Sequence, residues 1–359
     1  MRALVMRGAH DAKLEQVDVA APGPHEVLIR TVAAGICATD HGVYTGRQTR
    51  PLPQVMGHES AGIVAAVGSD VVDVKPGDHV VTCMSVFCGH CEYCLSGRPA
   101  LCLKVGLTRG PRETPRVSTE GELLNQMSGI GSWAEMLLVH EHAVVAVDPR
   151  LPFEYGALMG CGMVTGLGAV FHAAQVTPGS TVAVAGCGGV GMSIVQGARI
   201  AGAAQIIAID IDPHKLDIAR SVGATHVINP TGAPDIADAV TELSRGGVEF
   251  SFEAIGNPAT AQQCFLMLRP GGLATLVGVQ RGNTLEFAGG HFAWDRRVQG
   301  TYMGSNRFRL DIPRFVVYYL DGRLKLDDFV SERITLEQIP TTLEHFGAGG
   351  GVRTVIDFV

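Results

Sequence analysis

The sequence predicts an α/β protein of two domains, a β-rich, barrel-like one and a doubly wound parallel sheet. The chain has 359 residues, more than one hydrophobic core usually organises. Residues 1 to about 150 read as short apolar runs between turn clusters, and from about Ser180 apolar strands alternate with helical segments.

In the first part EVLIRTVAAG, SAGIVAAVG and DHVVTCM are the strand candidates, with APGPHE and KPGD as turns between them. In the second, TVAVAG, a Gly-rich turn, a helix through Ile200, QIIAID, a helix through Val222 and HVIN repeat a strand-helix rhythm. Right-handed crossovers turn that rhythm into a parallel sheet. The tail carries a helical pattern from DIPRFVVYYLDGRL and ends in RTVIDFV, a strand that can return to the first domain. The expected division is 1–162 with 303–359 for the β-rich domain and 163–302 for the parallel sheet.

Apolar residues make up 46% of the chain and charged residues 18%, a globular composition. A net charge of -7 without a basic block excludes the electrostatic footprint of a nucleic-acid binder and leaves a small molecule as the expected partner. The N-terminus, MRALVMRGAHDAKLEQ, lacks a long apolar core followed by a cleavage site, so a cytoplasmic protein is expected. Tyr155 to Ala198 contains no Asp, Glu, Lys or Arg, but eleven glycines and Pro178 break it into pieces, which favours buried core over a membrane span.

Of nine cysteines, four fall within fifteen residues: Cys88, Cys91, Cys94 and Cys102. In a cytosolic chain such spacing points to metal rather than disulfides. Four thiolates in so short a loop close a tetrahedron around one zinc ion and leave no open position, so this site is structural. His90, inside the loop, reads as an exposed residue. Three dispersed residues have the types of a second site: Cys37 in AAGICATDHGVY, His58 in GHE and Cys161 in MGCGMVTG. Two thiolates and an imidazole would leave a fourth position for water or substrate. Spacing alone does not distinguish this from buried core groups.

Gly186, Gly188 and Gly191 follow a strand and open a helix in TVAVAGCGGVGMSIVQGARIAG, the context that a dinucleotide-binding turn requires. Gly189 and Val190 complete the turn. The glycines allow a tight turn and close approach of a pyrophosphate to the helix N-terminus. Asp210 ends the next strand, where a carboxylate accepts hydrogen bonds from the adenosine ribose and repels a 2'-phosphate. No arginine follows it in IDP, so NAD is favoured over NADP.

GHE, the four-cysteine loop, GCG and the dinucleotide turn, in this order, make the chain similar to the zinc-containing medium-chain alcohol dehydrogenases over nearly its whole length. The resemblance implies a GroES-like catalytic domain, a Rossmann domain, and reversible NAD-linked oxidation of alcohols. It implies that Cys37, His58 and Cys161 hold a catalytic zinc, with Asp40 bonded to the ligating imidazole and Glu59 close behind the metal. Thr39 matches the hydroxyl that takes the alcohol proton. Lys215 is implied near the adenine ribose, Arg353 near the pyrophosphate, and Thr165, Val190 and Val279 around the nicotinamide. Met84, Met127, Trp133 and Tyr302 fall near substrate-pocket positions, which suits medium-chain or aromatic primary alcohols. Cys83, Cys187 and Cys264 remain as small buried residues.

The chain departs from the family at one catalytic position. Many relatives end their proton relay on a histidine five residues after the first zinc cysteine; here that position is Gly42, and His41 stands one place earlier. Water is then the expected final acceptor. The long connection between Cys102 and Trp133 resembles that of dimeric relatives, so a homodimer is expected. The glutathione-adduct branch differs around the first zinc cysteine, and polyol dehydrogenases usually carry Glu in place of Cys161. Two rival readings stay open: a nicotinoprotein whose NAD is recycled in place, and a non-catalytic binding protein on the same fold.

Overall fold

Strand Glu26–Ile36 is the spine of the β-rich unit, paired on both edges along its eleven residues. Ser60–Val67 runs antiparallel along one edge. Met136–His140 takes the first half of the other edge and Arg353–Asp357 the second half. Register slips at Leu28/Ile29 and Thr31/Ala33 bend the strand, which lets the sheet curl as a barrel wall. Across that sheet the order is Val144–Ala146, His79–Thr82, Ser60–Val67, Glu26–Ile36, Arg353–Asp357 and Val330–Thr335, so the tail does return to the first domain. The computed structural model describes residues 1–358 apart from 105, 111–112, 233–234, 281–283 and 347–350. It divides into Met1–Cys161 with Arg307–Val359, and Gly162–Asn306.

Leu4, Ile36, Met56, Met127, Trp133 and Ile356 belong to one apolar cluster of the β-rich unit. Two of these residues, Met127 and Trp133, were expected near the substrate pocket. Met127 is 1% exposed and Trp133 0% exposed, with the indole Nε1–H donating to the Gly35 carbonyl at 3.1 Å. Both side chains have the flexible or flat shape that suits a substrate, but the same shape fills a core, and the indole is anchored there by its hydrogen bond.

Phe153–Ala174 is the one helix among the described residues long and apolar enough to cross a membrane, and 83% of its most apolar window is buried inside the protein. Its glycines are contact points. A Cβ on Gly160 would stand 1.9 Å from the Thr82 carbonyl oxygen, so the helix lies directly on strand His79–Thr82.

The second unit has six parallel strands in the order His226–Ile228, Gln205–Ile209, Thr181–Ala185, Val248–Glu253, Leu268–Leu276, Arg297–Gly300. This is the doubly wound Rossmann order. Its winding reverses between Thr181–Ala185 and Val248–Glu253, and ligands bind such sheets beyond the carboxyl ends of the strands at that point.

A buried ion cluster holds the loop that follows the four cysteines. Glu26, 5% exposed, accepts from Gly23 N–H at 2.8 Å and Arg116 Nε at 2.7 Å, and pairs with Arg109. The two arginines then donate to the Leu107 and Thr114 carbonyls. Burial alone would raise the Glu26 pKa, but the two guanidiniums and the Gly23 N–H outweigh it and bring the carboxyl down from 4.5 to about 2. The resulting stabilisation is present above the unfolded-state value near 4.5 and is lost as pH falls towards about 2. Glu26→Gln is therefore expected to lower the melting temperature at pH 7 and to flatten its fall between pH 5 and pH 3 (roughly the window of the shift), as read by thermal melts across that range.

Candidate metal centres and dinucleotide site

The four-cysteine loop places its sulfurs 3.5 Å apart for Cys91 and Cys94, 3.8 Å for Cys91 and Cys102, and 4.0 Å for Cys88 and Cys94. Sulfurs at the corners of a tetrahedron with Zn–S of ~2.3 Å lie about 3.8 Å apart, so the set fits zinc without rearrangement. Backbone N–H groups of Cys88 and Lys104 point at the Cys102 sulfur, each at 3.1 Å. The N–H groups of Leu103 and Cys94 bring the Cys91 thiol down to about 6. Such donors favour the thiolate a metal needs. His90 is exposed, and its Nδ1 donates to the Cys88 carbonyl at 3.0 Å, outside the sulfur set.

The second set is built by three elements. Cys37 caps the helix Ala38–Tyr44, whose Asp40 Oδ2 accepts from the Cys37 N–H at 2.8 Å. The other oxygen of Asp40 accepts from His58 Nδ1 at 2.9 Å. This fixes the tautomer and leaves the Nε2 lone pair of His58 buried, with no hydrogen-bond partner. Gly57, just before His58, has φ +86°, and a Cβ there would stand 2.4 Å from the Trp133 ring, so the GHE turn requires glycine. Cys161 arrives on the π-helical stretch Met159–Met163, beside the Gly160 contact described above. Ligand atoms of Cys37, His58, Glu59 and Cys161 all lie within 4.8 Å of one another. Two sulfurs, an open imidazole lone pair and a carboxylate, all buried, fit a zinc ion.

The electrostatics follow from burial. The neighbouring Cys161 sulfur lowers the Cys37 thiol well below its usual 9, while Cys37 drives Cys161 well above it, so the first proton lost from this pair is that of Cys37. Burial opposes charge on His58, but Asp40 overcomes it and raises the imidazole. Burial raises Asp40 and takes Glu59 up to about 7, against the pull of Arg353. Arg353 is part of this cluster. Its Nη2 lies 3.3 Å from Glu59 Oε1 and its Nη1 donates to the Ile36 carbonyl at 3.2 Å, because it is the cation that balances a buried carboxylate.

Thr39 follows Cys37 on the first helical turn and is partly exposed. His41 is stacked on Phe346 with ring centroids 5.0 Å apart, and its Nδ1 accepts from Arg47 Nη2 at 2.7 Å. Burial, and then Arg47, lower its pKa. Gly42 is buried. Met84 is buried, its carbonyl 3.4 Å from Lys104 Nζ. Tyr302, in the other unit, is 48% exposed. Cys83, Cys187 and Cys264 are buried with their pKa values raised by desolvation.

In the parallel-sheet unit the three glycines of the turn have separate jobs. Gly186 has φ +93°; a Cβ on Gly191 would meet the Gly186 carbonyl oxygen at 1.7 Å; a Cβ on Gly188 would meet nothing within 4 Å. The outer two therefore fold the turn, and the middle one leaves a space above the helix Gly189–Ile200. Val190 is half-buried at the start of that helix. Asp210 accepts from the Cys187 N–H at 2.7 Å and the Asp212 N–H at 2.9 Å, and Lys215 lies 4.0 Å from Asp212. Thr165 is 7% exposed against Met303, and Val279 is 61% exposed beyond strand Leu268–Leu276. Glu253, fully buried at the end of its strand, was not singled out from the sequence; an acid closing the strand VEFSFE directly after Phe252 was the available signal.

Residues 23–149 match the alcohol dehydrogenase GroES-like domain and residues 189–316 the zinc-binding dehydrogenase domain. A probable S-(hydroxymethyl)glutathione dehydrogenase from Schizosaccharomyces pombe is 36% identical over 99% of this chain and 96% of its own. The structure of a zinc-binding-domain alcohol dehydrogenase from Burkholderia ambifaria superposes with TM-score 0.94 at 35% identity, covering 99% of this chain and 98% of that one. Benzyl alcohol dehydrogenase from Acinetobacter calcoaceticus gives TM-score 0.93 at 31% identity over 100% and 99%. The chain belongs to the zinc-containing medium-chain alcohol dehydrogenase family. It is an NAD-dependent oxidoreductase that uses zinc.

Metal analysis of the purified protein is expected to give two zinc ions per chain, one for each set. Cys161→Ser should remove one ion and turnover while the protein stays folded, whereas Cys94→Ser should first lower the melting temperature. A single zinc in the unmodified protein would overturn the two-site assignment.

Proposed function

We propose that this protein oxidises medium-chain or aromatic primary alcohols to aldehydes, reversibly, with NAD. The observation that carries this is the buried set of Cys37, His58 and Cys161, with the His58 Nε2 lone pair turned open by Asp40. A zinc ion held there supplies the Lewis acidity that brings an alcohol hydroxyl within reach of ionisation at neutral pH. Asp40 keeps the His58 ring in its ligating tautomer, and Arg353 holds Glu59 close to the sulfurs. Thr39 takes the alcohol proton. The Gly186–Gly191 turn holds the pyrophosphate, Asp210 the adenosine ribose with Lys215 beside it, and Thr165, Val190 and Val279 border the nicotinamide.

The similarity to benzyl alcohol dehydrogenase supports an aromatic substrate. A second reading, oxidation of the adduct of formaldehyde with glutathione, is favoured by the curated relatives. We also propose a homodimer, on the length of the connection from Cys102 to Trp133. Initial rates with NAD over benzyl alcohol, linear primary alcohols, and formaldehyde with glutathione separate the substrates. Benzyl or medium-chain alcohols should give the highest kcat/KM; a preference for the glutathione adduct would replace this reading with the second. NAD released only on heating would indicate a nicotinoprotein.

Two contacts support the reading that His41 is not the relay: its Nδ1 accepts from Arg47 Nη2 and its ring stacks on Phe346. A positioned general base contributes ~10²- to 10⁴-fold, so His41→Ala is expected to change kcat for alcohol oxidation less than about threefold at pH 7. A larger loss, restored at high pH or by imidazole, would show that His41 does carry the proton.

A further inference from the structure

Two loops at the carboxyl edge of the parallel sheet, 254–257 and 277–280, are joined through one buried carboxylate. Glu253 Oε1 accepts from the N–H groups of Ile255 and Gly256 at 2.9 and 2.8 Å and from the Thr260 hydroxyl at 2.8 Å. Its Oε2 accepts from Gln280 Nε2 at 2.7 Å, and its backbone carbonyl accepts from Val277 and Gly278 N–H at 2.8 and 2.9 Å. The loops also abut directly. A Cβ on Gly278 would stand 2.2 Å from the Gly256 nitrogen, and one on Gly256 would stand 2.8 Å from the Val279 carbonyl oxygen. The first loop in turn meets the glycine turn, since a Cβ on Gly186 would touch Ile255 at 2.6 Å.

Of these links, only the Gln280 amide is a side-chain bridge from the second loop to the carboxylate. Val279 beside it is largely exposed and has no burial of its own to hold it in place. The amide orientation is also determined: the NH₂ faces Glu253, because the opposite orientation would set two oxygens against each other. A charge-assisted hydrogen bond of this kind is stronger than a neutral one, and losing it loosens the loop beyond Gly278, which its backbone bond to Glu253 still holds.

We propose that Gln280, held by Glu253, is a positioning residue that fixes the Val279 loop and thereby sets how tightly the enzyme retains NAD. This rests on the reading of Val279 as a neighbour of the nicotinamide. A loop already ordered before the cofactor arrives loses little entropy on binding, and its release lowers affinity without changing the reacting groups.

The test measures NADH binding to the zinc-loaded enzyme by coenzyme fluorescence, with zinc content and thermal melts recorded alongside. Gln280→Ala should raise the Kd for NADH roughly tenfold, with the KM for NAD rising and kcat falling far less. Gln280→Glu, which opposes two carboxylates, should weaken binding further. The exchange Glu253→Gln with Gln280→Glu restores an amide facing a carboxylate while Gln at 253 still offers an oxygen to Ile255 and Gly256, and should return the Kd to within about threefold of the original. A Kd for Gln280→Ala within about twofold of the parent, or an exchange no better than Gln280→Glu alone, would overturn the proposal. An unmodified enzyme that binds no NADH would instead sink the NAD assignment on which it rests.

Discussion

The constraint on which the catalytic unit depends is buried negative charge. Cys37, Cys161, Asp40 and Glu59 can each carry an anion, none is more than 8% exposed, and one guanidinium, Arg353, stands among them. Anions packed this way are not stable without compensation, since desolvating even one costs several kcal/mol. The protein's own response is to keep protons: Cys161 and Glu59 are both pushed upward. A divalent cation offsets the same surplus without protons, which is why this cluster reads as a metal centre rather than a satisfied core. Close packing leaves no room for an alternative arrangement. A Cβ on Gly35 would stand 2.1 Å from Glu59 Oε2, and Gly57 and Gly160 are equally tight.

The two cysteine sets show how exposure and connectivity divide structure from chemistry. Cys88 to Cys102 come from one short stretch of chain and all but Cys88 are only partly buried, so the metal itself supplies the cross-link that a core would give. Cys37, His58 and Cys161 come from a helix cap, a glycine turn and a π-helical stretch that the barrel already holds together. Rigid support of that kind allows the metal to keep a position open for substrate.

What the sequence disclosed were features in which local pattern and function coincide. The spacing of the four cysteines and the position of Gly186, Gly188 and Gly191 between strand and helix are legible because the geometry is set by neighbours in the chain. Asp40 was reached through the family resemblance alone; in the structure it serves as helix cap and as partner of His58. Residues whose role depends on distant contacts were not legible. Trp133 and Met127 have side chains that suit a pocket or a core equally, and only the folded chain shows Trp133 bonded to Gly35, ninety-eight residues away. Arg353 is more than three hundred residues from Ile36, whose carbonyl it holds. Glu253 lay unnoticed at the end of its strand because the loops it gathers are adjacent only in space.

The missing relay histidine shows how one helical turn fixes chemistry. Residues three apart on a helix lie on one face, so Gly42 shares a face with Thr39. His41 is turned about 100° away from Gly42. There it finds Phe346 to stack on and Arg47 to occupy its nitrogen, and these contacts hold it off the path as firmly as the register does. Gly42 is buried and offers no side chain that could hold a proton. The side chain next to Gly42 that could carry a proton, His41, is committed to these contacts.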